Sequence, residues 1–210
     1  MISLVHPKKY RIDHDEAIQI MKSYPFAILI TADGHRPLAT HIPVEIREVK
    51  EKIFATGHIA SGNMQKKTLE NNKDVLLIFQ GPHAYISSSW YASEDVPTWN
   101  YVTVHAYGTS RIITDNELAS ALEHMLKRYE AHRKNGRLWD TFEPAFLKSQ
   151  MKGIVGFEIE ITSIQGAAKL SQNRNHTDYQ AIVAELEKSN EPVERELAQW
   201  MRKQRRNLFV

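Results

Sequence analysis

The sequence predicts a mainly β protein, an antiparallel barrel with flanking helices inserted late in the chain. Two observations carry this. About six or seven short runs alternate apolar and polar residues and are separated by brief polar turns, whereas helical spacing is confined to segments between or after them. The chain also lacks a glycine-rich turn leading from a strand into a helix, so it offers neither a P-loop nor a dinucleotide fingerprint, and a parallel sheet is disfavoured.

The elements follow in order. Asp13 opens a capping-box pattern with Glu16, and Ala17, Ile20, Met21 and Tyr24 continue at helical spacing until Pro25 stops the helix. Phe26 to Thr31 is a short apolar strand closed by Asp33-Gly34, a hairpin signal. Leu38 to Val49 resumes as a strand alternating around Ile42, Val44 and Ile46; a polar turn at Lys50 to Lys52 leads into a third strand, Ile53 to Ile59. Ser61-Gly62-Asn63 starts a short helix, Met64 to Asn71, and the unbroken apolar run Val75 to Phe79 reads as a buried fourth strand. Phe79 to Gly108 then carries two of the four tryptophans and four of the eight tyrosines, as two more strands around a loop, Ala92 to Pro97, and reaches on to Ile113. Aromatic side chains with a polar tip suit surfaces that are dry on one side, so this stretch is either the middle of a β core or the wall of a planar-ligand site.

Thr114 to Glu117 is a second capping box, opening a helix faced by Leu118, Leu122, Met125, Leu126 and Tyr129. Ala131 to Trp139 reads as a loop and Pro144 to Met151 as a short helix. Phe157, Ile159 and Ile161 alternate with Glu158, Glu160 and Thr162 as a half-exposed strand. Gly166 to Asn173 reads as a loop or strand end. The tail is helical, with Ile182 and Leu186, a break at Pro192, then Val193, Leu197, Trp200 and Met201.

Composition narrows the function classes. With 42% apolar and 25% charged residues in 210, the chain reads as an ordinary soluble globular protein. A formal net charge of +2 is too small to imply nucleic acid by itself. The absence of cysteine excludes disulfides, thiol catalysis and Cys-ligated zinc. No apolar run suits a signal peptide or a membrane span, so the expectation is a cytoplasmic protein without membrane contact. Of ten histidines, His41, His58 and His105 fall on predicted strands, yet no pair has helical ligand spacing. Surface or hydrogen-bonded histidines account for such a count, and no metal site is assigned. No nucleophile elbow appears around Ser87-Ser88-Ser89, which argues against a hydrolase.

Two local features carry chemistry. In Thr56-Gly57-His58-Ile59-Ala60-Ser61-Gly62-Asn63 a strand ends in a polar turn and a helix begins at once, with Lys66 and Lys67 in its first turns. Backbone N–H groups, hydroxyls and lysines in that order can cradle a phosphate; ordinary helix capping by Ser or Asn produces the same pattern. Arg202, Lys203, Arg205 and Arg206 cluster at the end of the chain, where they can contact DNA phosphates or simply complement a helix dipole.

The segments FQGPHAYIS-x-SWY, VPTWNY-x-x-VHAYG, IVGFEIEIT and KLSQNR, supported by PFAILIT, THIP and GHIASGN, resemble the PaiB-type proteins, described as FMN-binding negative transcriptional regulators. The resemblance spans roughly residues 1 to 185. It implies a split β-barrel similar to the pyridoxamine-phosphate-oxidase and flavin-reductase group, a homodimer with FMN at the subunit interface. On that reading residues 1–175 form the FMN-binding barrel domain with inserted helices, and residues 176–210 form a helical appendage packing on the barrel or on the dimer partner. Thr40, His41, Ile42 and Pro43 are expected beside the isoalloxazine ring. Thr56, His58, Ser61 and Asn63, with Lys66 behind them, are expected toward ribityl and phosphate. Gln80, Trp99 and Asn100 come from the aromatic stretch, and Lys169, Ser171, Gln172 and Asn173 close the site, from the second subunit in one arrangement. Two departures stand out. Ser88 replaces an expected proline, and Gly62-Asn63 stands where the group's phosphate turn carries an arginine-lysine pair, which lowers the expected charge there. The implied function is negative transcriptional regulation, direct or indirect. A flavin-dependent oxidoreductase or flavin reductase is the runner-up, and a haem-binding split barrel comes third.

Overall fold

The computed structural model describes residues 7–34, 36–71 and 74–209. Asp13 caps the first helix, α1 (His14–Ser23), by accepting the Glu16 N–H at 2.7 Å. Strands β1 (Phe26–Ala32) and β2 (Pro37–Val49) then pair antiparallel from Phe26↔Pro43 to Ala32↔Pro37. Their turn needs Gly34, at φ 94°, and is tied by the Arg36 N–H donating to Asp33 Oδ1. Strand β3 (Lys52–Ala60) follows a two-residue turn in which Lys50 and Glu51 both hold positive φ, 46° and 67°. That is the mirror-image turn whose twist matches a hairpin, built here without glycine.

The expected short helix is α2 (Gln65–Asn71), and the fourth strand, β4 (Val75–Ile86), runs on through the first half of the aromatic stretch. Sequence reading divides this strand in two. The alternation slips by one residue at buried Gly81-Pro82, then resumes with Ala84 and Ile86, so the strand continues where the sequence pattern breaks. Strands β5 (Thr98–Ile112) and β6 (Ile154–Lys169) complete a closed barrel of order β1-β2-β3-β6-β5-β4. This is the antiparallel split barrel the sequence predicts. The helices α3 (Asp115–Glu130), α4 (Pro144–Met151), α5 (His176–Lys188) and α6 (Pro192–Gln204) lie between or after the last strands.

The chain divides into two compact units. One contains Met21–Phe79 and His105–Ile164. Its core is the inward rows of the meander and β6: Ala27, Leu29, Val44, Ala55, Phe157 and Ile159 are buried, and burying each large aliphatic or aromatic side chain contributes about 1.5–3 kcal/mol. Helix α3 starts at a full capping box, Thr114 with Glu117, and seats Leu118 over Gly156. A Cβ on Gly156 would stand 2.7 Å from Ile113 and 3.0 Å from Leu118, so any side chain here would have to push both aside.

The other unit gathers the segment ending at Ile20, Gln80–Val104 and the chain from Gln165 onward. Here α5 and α6 pack through Tyr179, Ile182, Leu186, Leu197 and Met201. Pro192 opens α6 at its first turn, where its missing N–H costs nothing. The Tyr179 hydroxyl donates to the Met201 carbonyl at 2.8 Å. Asp178, on α5, accepts the Ala92 N–H at 2.8 Å and so ties the 92–97 loop to the C-terminal helices. Among the described residues no helix is long and apolar enough to cross a membrane.

Candidate functional site

Two residues expected at a ligand, Thr40 on β2 and Asn63 before α2, meet directly: Asn63 Nδ2 donates to Thr40 Oγ1 at 3.0 Å. Asn63 also caps α2, accepting the Gln65 N–H at 2.9 Å, so the capping reading of this turn holds in the structure. The Ser61 N–H is taken by the Gly153 carbonyl at 2.9 Å, and Ser61 itself is exposed. Lys66 lies one turn on and approaches Glu70 at 4.0 Å, a weak surface pair. Beside Thr40 on the same strand, exposed His41 faces the Phe26 ring, with centroids 6.1 Å apart, and Phe26 is itself 63% exposed. Ile42 is buried and can offer only its backbone.

Gln65 organises this corner and was not expected. It is 2% exposed. Its Nε2 reaches the Leu29 carbonyl (3.3 Å), Thr31 Oγ1 (3.1 Å) and the Leu38 carbonyl (3.1 Å), while its Oε1 accepts from the Thr40 hydroxyl. Thr68 adds a bond to Thr31 at 2.7 Å. The signal was present: Gln65, Thr68 and Leu69 share one helix face at spacing three and four, and Leu69 marks that face as inward.

Pro43, Thr56 and His58 lie elsewhere in the same unit, lining a cleft under α3 with Leu118, Leu122, Met125, Arg128 and Tyr129. Its free volume is about 30 Å³, room for a water or two and far below the roughly 300 Å³ of small ligand pockets. Burial holds the His58 imidazole below its usual pKa. The rim of α3 is pinned by charges. Glu158 accepts from Arg47 and Arg111, each at 2.7 Å, and Arg111 also forks onto Glu117 at 2.7 and 3.1 Å. Arg111's hydrogen bonds, with help from Thr114, pull the Glu117 pKa down to about 2.

In the second unit the predicted residues form two groups. Trp99, 54% exposed, packs edge-on to Tyr85 at 6.1 Å and near His83 at 6.2 Å; Gln80 bonds His83 Nδ1 at 3.2 Å. This makes an exposed aromatic face on β4 and β5. Asn100 and Ser171 instead face each other, 0% and 2% exposed: Asn100 Nδ2 donates to Ser171 Oγ at 2.9 Å. Lys169 donates to Thr98 at 2.5 Å. Gln172 folds back on its own turn, accepting the Leu170 N–H and donating to the Ala168 carbonyl, and Asn173 stands exposed at the apex. Of the terminal basic residues, Arg202 pairs with Glu187, Lys203 with Glu16, and Arg205 with backbone carbonyls.

A sequence-family profile described as "Putative FMN-binding domain" matches residues 4–163. A Bacillus subtilis (strain 168) protein, Protease synthase and sporulation protein PAI 2, is 45% identical over 196 residues, spanning 93% of this chain and 95% of that one. Among solved structures, the flavocytochrome Anf3 from Azotobacter vinelandii superposes with a TM-score of 0.59 at 15% identity, covering 82% of this chain and 75% of its own. The FAD and heme binding protein from Mycobacterium smegmatis gives 0.57 at 13%, covering 80% and 78%. At such identities the structures attest the shared fold alone.

Proposed function

The chain belongs to this FMN-binding family of PaiB-type proteins, and from that premise we propose that it works as a dimeric, FMN-binding negative regulator of gene expression. The observation that carries the reading is the Asn63–Thr40 hydrogen bond. It brings the strand expected beside a flavin ring and the turn expected beside its phosphate within one side-chain length.

The residues fit FMN in kind. Exposed rings at Phe26 and His41 offer a flat contact beside the Thr40–Pro43 backbone. The Ser61 hydroxyl and the Lys66 ammonium suit a phosphate, with less positive charge than an arginine-lysine pair would supply. The cleft under α3 is too small for the ring, so Thr56 and His58 would act from its mouth rather than enclose the ligand. Gln80, Trp99, Lys169, Gln172 and Asn173 would close the site from the second copy of a two-fold dimer, with Asn100 and Ser171 supporting that wall from behind.

The test is the absorbance spectrum of the purified protein followed by FMN titration. Flavin bands near about 370 and 450 nm, or saturable quenching of added FMN at micromolar concentration, are expected. A protein that shows no flavin band and leaves FMN fluorescence unchanged overturns the reading, and a Soret band would transfer it to haem. Regulation is checked by a reporter comparison in cells with and without the protein. A low-salt promoter shift separates direct from indirect action.

A further inference from the structure

The turn after β6 is held in a conformation its sequence does not favour. Ser171 has φ 58° although it is not glycine, and it is almost wholly buried. A residue in this left-handed region persists only when its surroundings over-determine it. Three contacts do so here. Asn100 and Ser171 exchange side-chain hydrogen bonds at 2.9 and 3.2 Å. Gln172 closes on its own backbone. Arg205, at the end of α6, sends its guanidinium fork to two carbonyls of the turn: Nη2 to Gln172 at 2.5 Å and Nη1 to Arg174 at 3.1 Å. The same guanidinium lies 4.4 Å from the Tyr179 ring centroid, which fixes its plane.

The two carbonyls flank Asn173, so the fork sets how this exposed residue is presented. The brace continues outward. Arg174 lies over the Tyr91 ring at 4.0 Å and pairs with Asp95 in the 92–97 loop. A cation thirty-odd residues down the chain therefore holds the turn, and Arg174 within that turn holds the loop next to it. That use suits the planar fork of arginine, whereas a lysine at the same position offers a point charge without the fork that spans both carbonyls.

We propose that Arg205 is a positioning residue for the ligand-closing turn, and that the C-terminal helix serves to set FMN affinity through it. This rests on the flavin reading of Lys169 to Asn173. The test is FMN titration by fluorescence quenching of the full-length wild type, Arg205→Ala, Arg205→Lys, Ser171→Gly and the double variant Ser171→Gly/Arg205→Ala. Arg205→Ala and Arg205→Lys are both expected to weaken FMN binding roughly tenfold, in the range seen when a residue that orients a binding group is lost. Glycine adopts the positive φ without help but forfeits the hydrogen bonds to Asn100, so the reference is Ser171→Gly alone, and relative to it the loss on removing Arg205 should shrink to about twofold or less. A purely structural brace would lower the melting temperature equally in both backgrounds and leave affinity unchanged. Wild type that binds FMN alongside an unaltered Arg205→Lys, or an undiminished loss in the double variant, overturns this inference alone. Wild type that never binds FMN overturns the flavin reading and this inference together.

Discussion

Replacing Gln65 with leucine tests whether one buried amide holds the Thr40–Asn63 corner together. Leucine nearly matches the volume but can neither donate nor accept. The wild-type amide has two N–H groups serving three acceptors, on Leu29, Thr31 and Leu38, and it accepts one bond from Thr40. All of these contacts are lost, and because one N–H is shared between two acceptors they count as about three full hydrogen bonds, at about 0.5–1.5 kcal/mol net each. The Leu29 carbonyl and Thr31 hydroxyl face the interior and gain no solvent in exchange, whereas half-buried Leu38 recovers some. Added apolar contact offsets part of the loss, so the expected destabilisation is about 2–4 kcal/mol, or roughly 4–16 °C in Tm for a chain of this size. Urea unfolding with the slope unchanged is the assay. A companion Gln65→Glu sharpens it, because a carboxylate aimed at three oxygens has a raised folded-state pKa. Its penalty should be smallest in acid, where it is protonated in both states, and should grow as pH rises above the ordinary glutamate range. A Gln65→Leu protein within 0.5 kcal/mol of wild type would refute the idea that Gln65 organises the corner.

Further outcomes follow from the same structure. Because Glu117's folded pKa sits at about 2, below its unfolded value, its contribution to stability is present at neutral pH and fades as pH falls from the ordinary carboxylate range toward 2. Arg111→Gln should therefore flatten the acid limb of a urea-midpoint profile between about pH 5 and 2; an unchanged limb would show that the Arg111–Glu117 fork is not formed in solution. Glu51→Gly, at a solvent-exposed φ of 67°, should raise stability by about 0.5–1 kcal/mol, readable as a higher urea midpoint, and a loss would mean the β2–β3 turn is not of the mirror-image type.

Elements whose signals are local were legible. The Asp13 and Thr114 caps, the helix opened by Pro144 and the Asp33-Gly34 turn all appear where the sequence places them, since each depends on residues within one turn of chain. Strand β4 was not, because Gly81-Pro82 breaks the alternation although the strand runs on through it. The site was half legible. The resemblance puts Thr40 and Asn63 into one expected site, and the two are hydrogen-bonded, whereas Gln65 is marked in the sequence only by the helix face it shares with Leu69.

The sequence by itself determined the alternation of strands and short helices, their caps and the family to which they belong. Periodicity says that a side chain points inward, and only the tertiary structure decides what it meets there. The resemblance puts Asn100 among the ligand contacts, and the structure shows its buried amide bonded to Ser171, 71 residues away. Arg205 reads as one of four terminal cations open to DNA, yet its fork closes on the turn at Gln172, 33 residues back. Both partnerships join distant residues through atoms that no local pattern encodes, and the free energy of leaving such groups buried and unpaired selects them once the chain has closed.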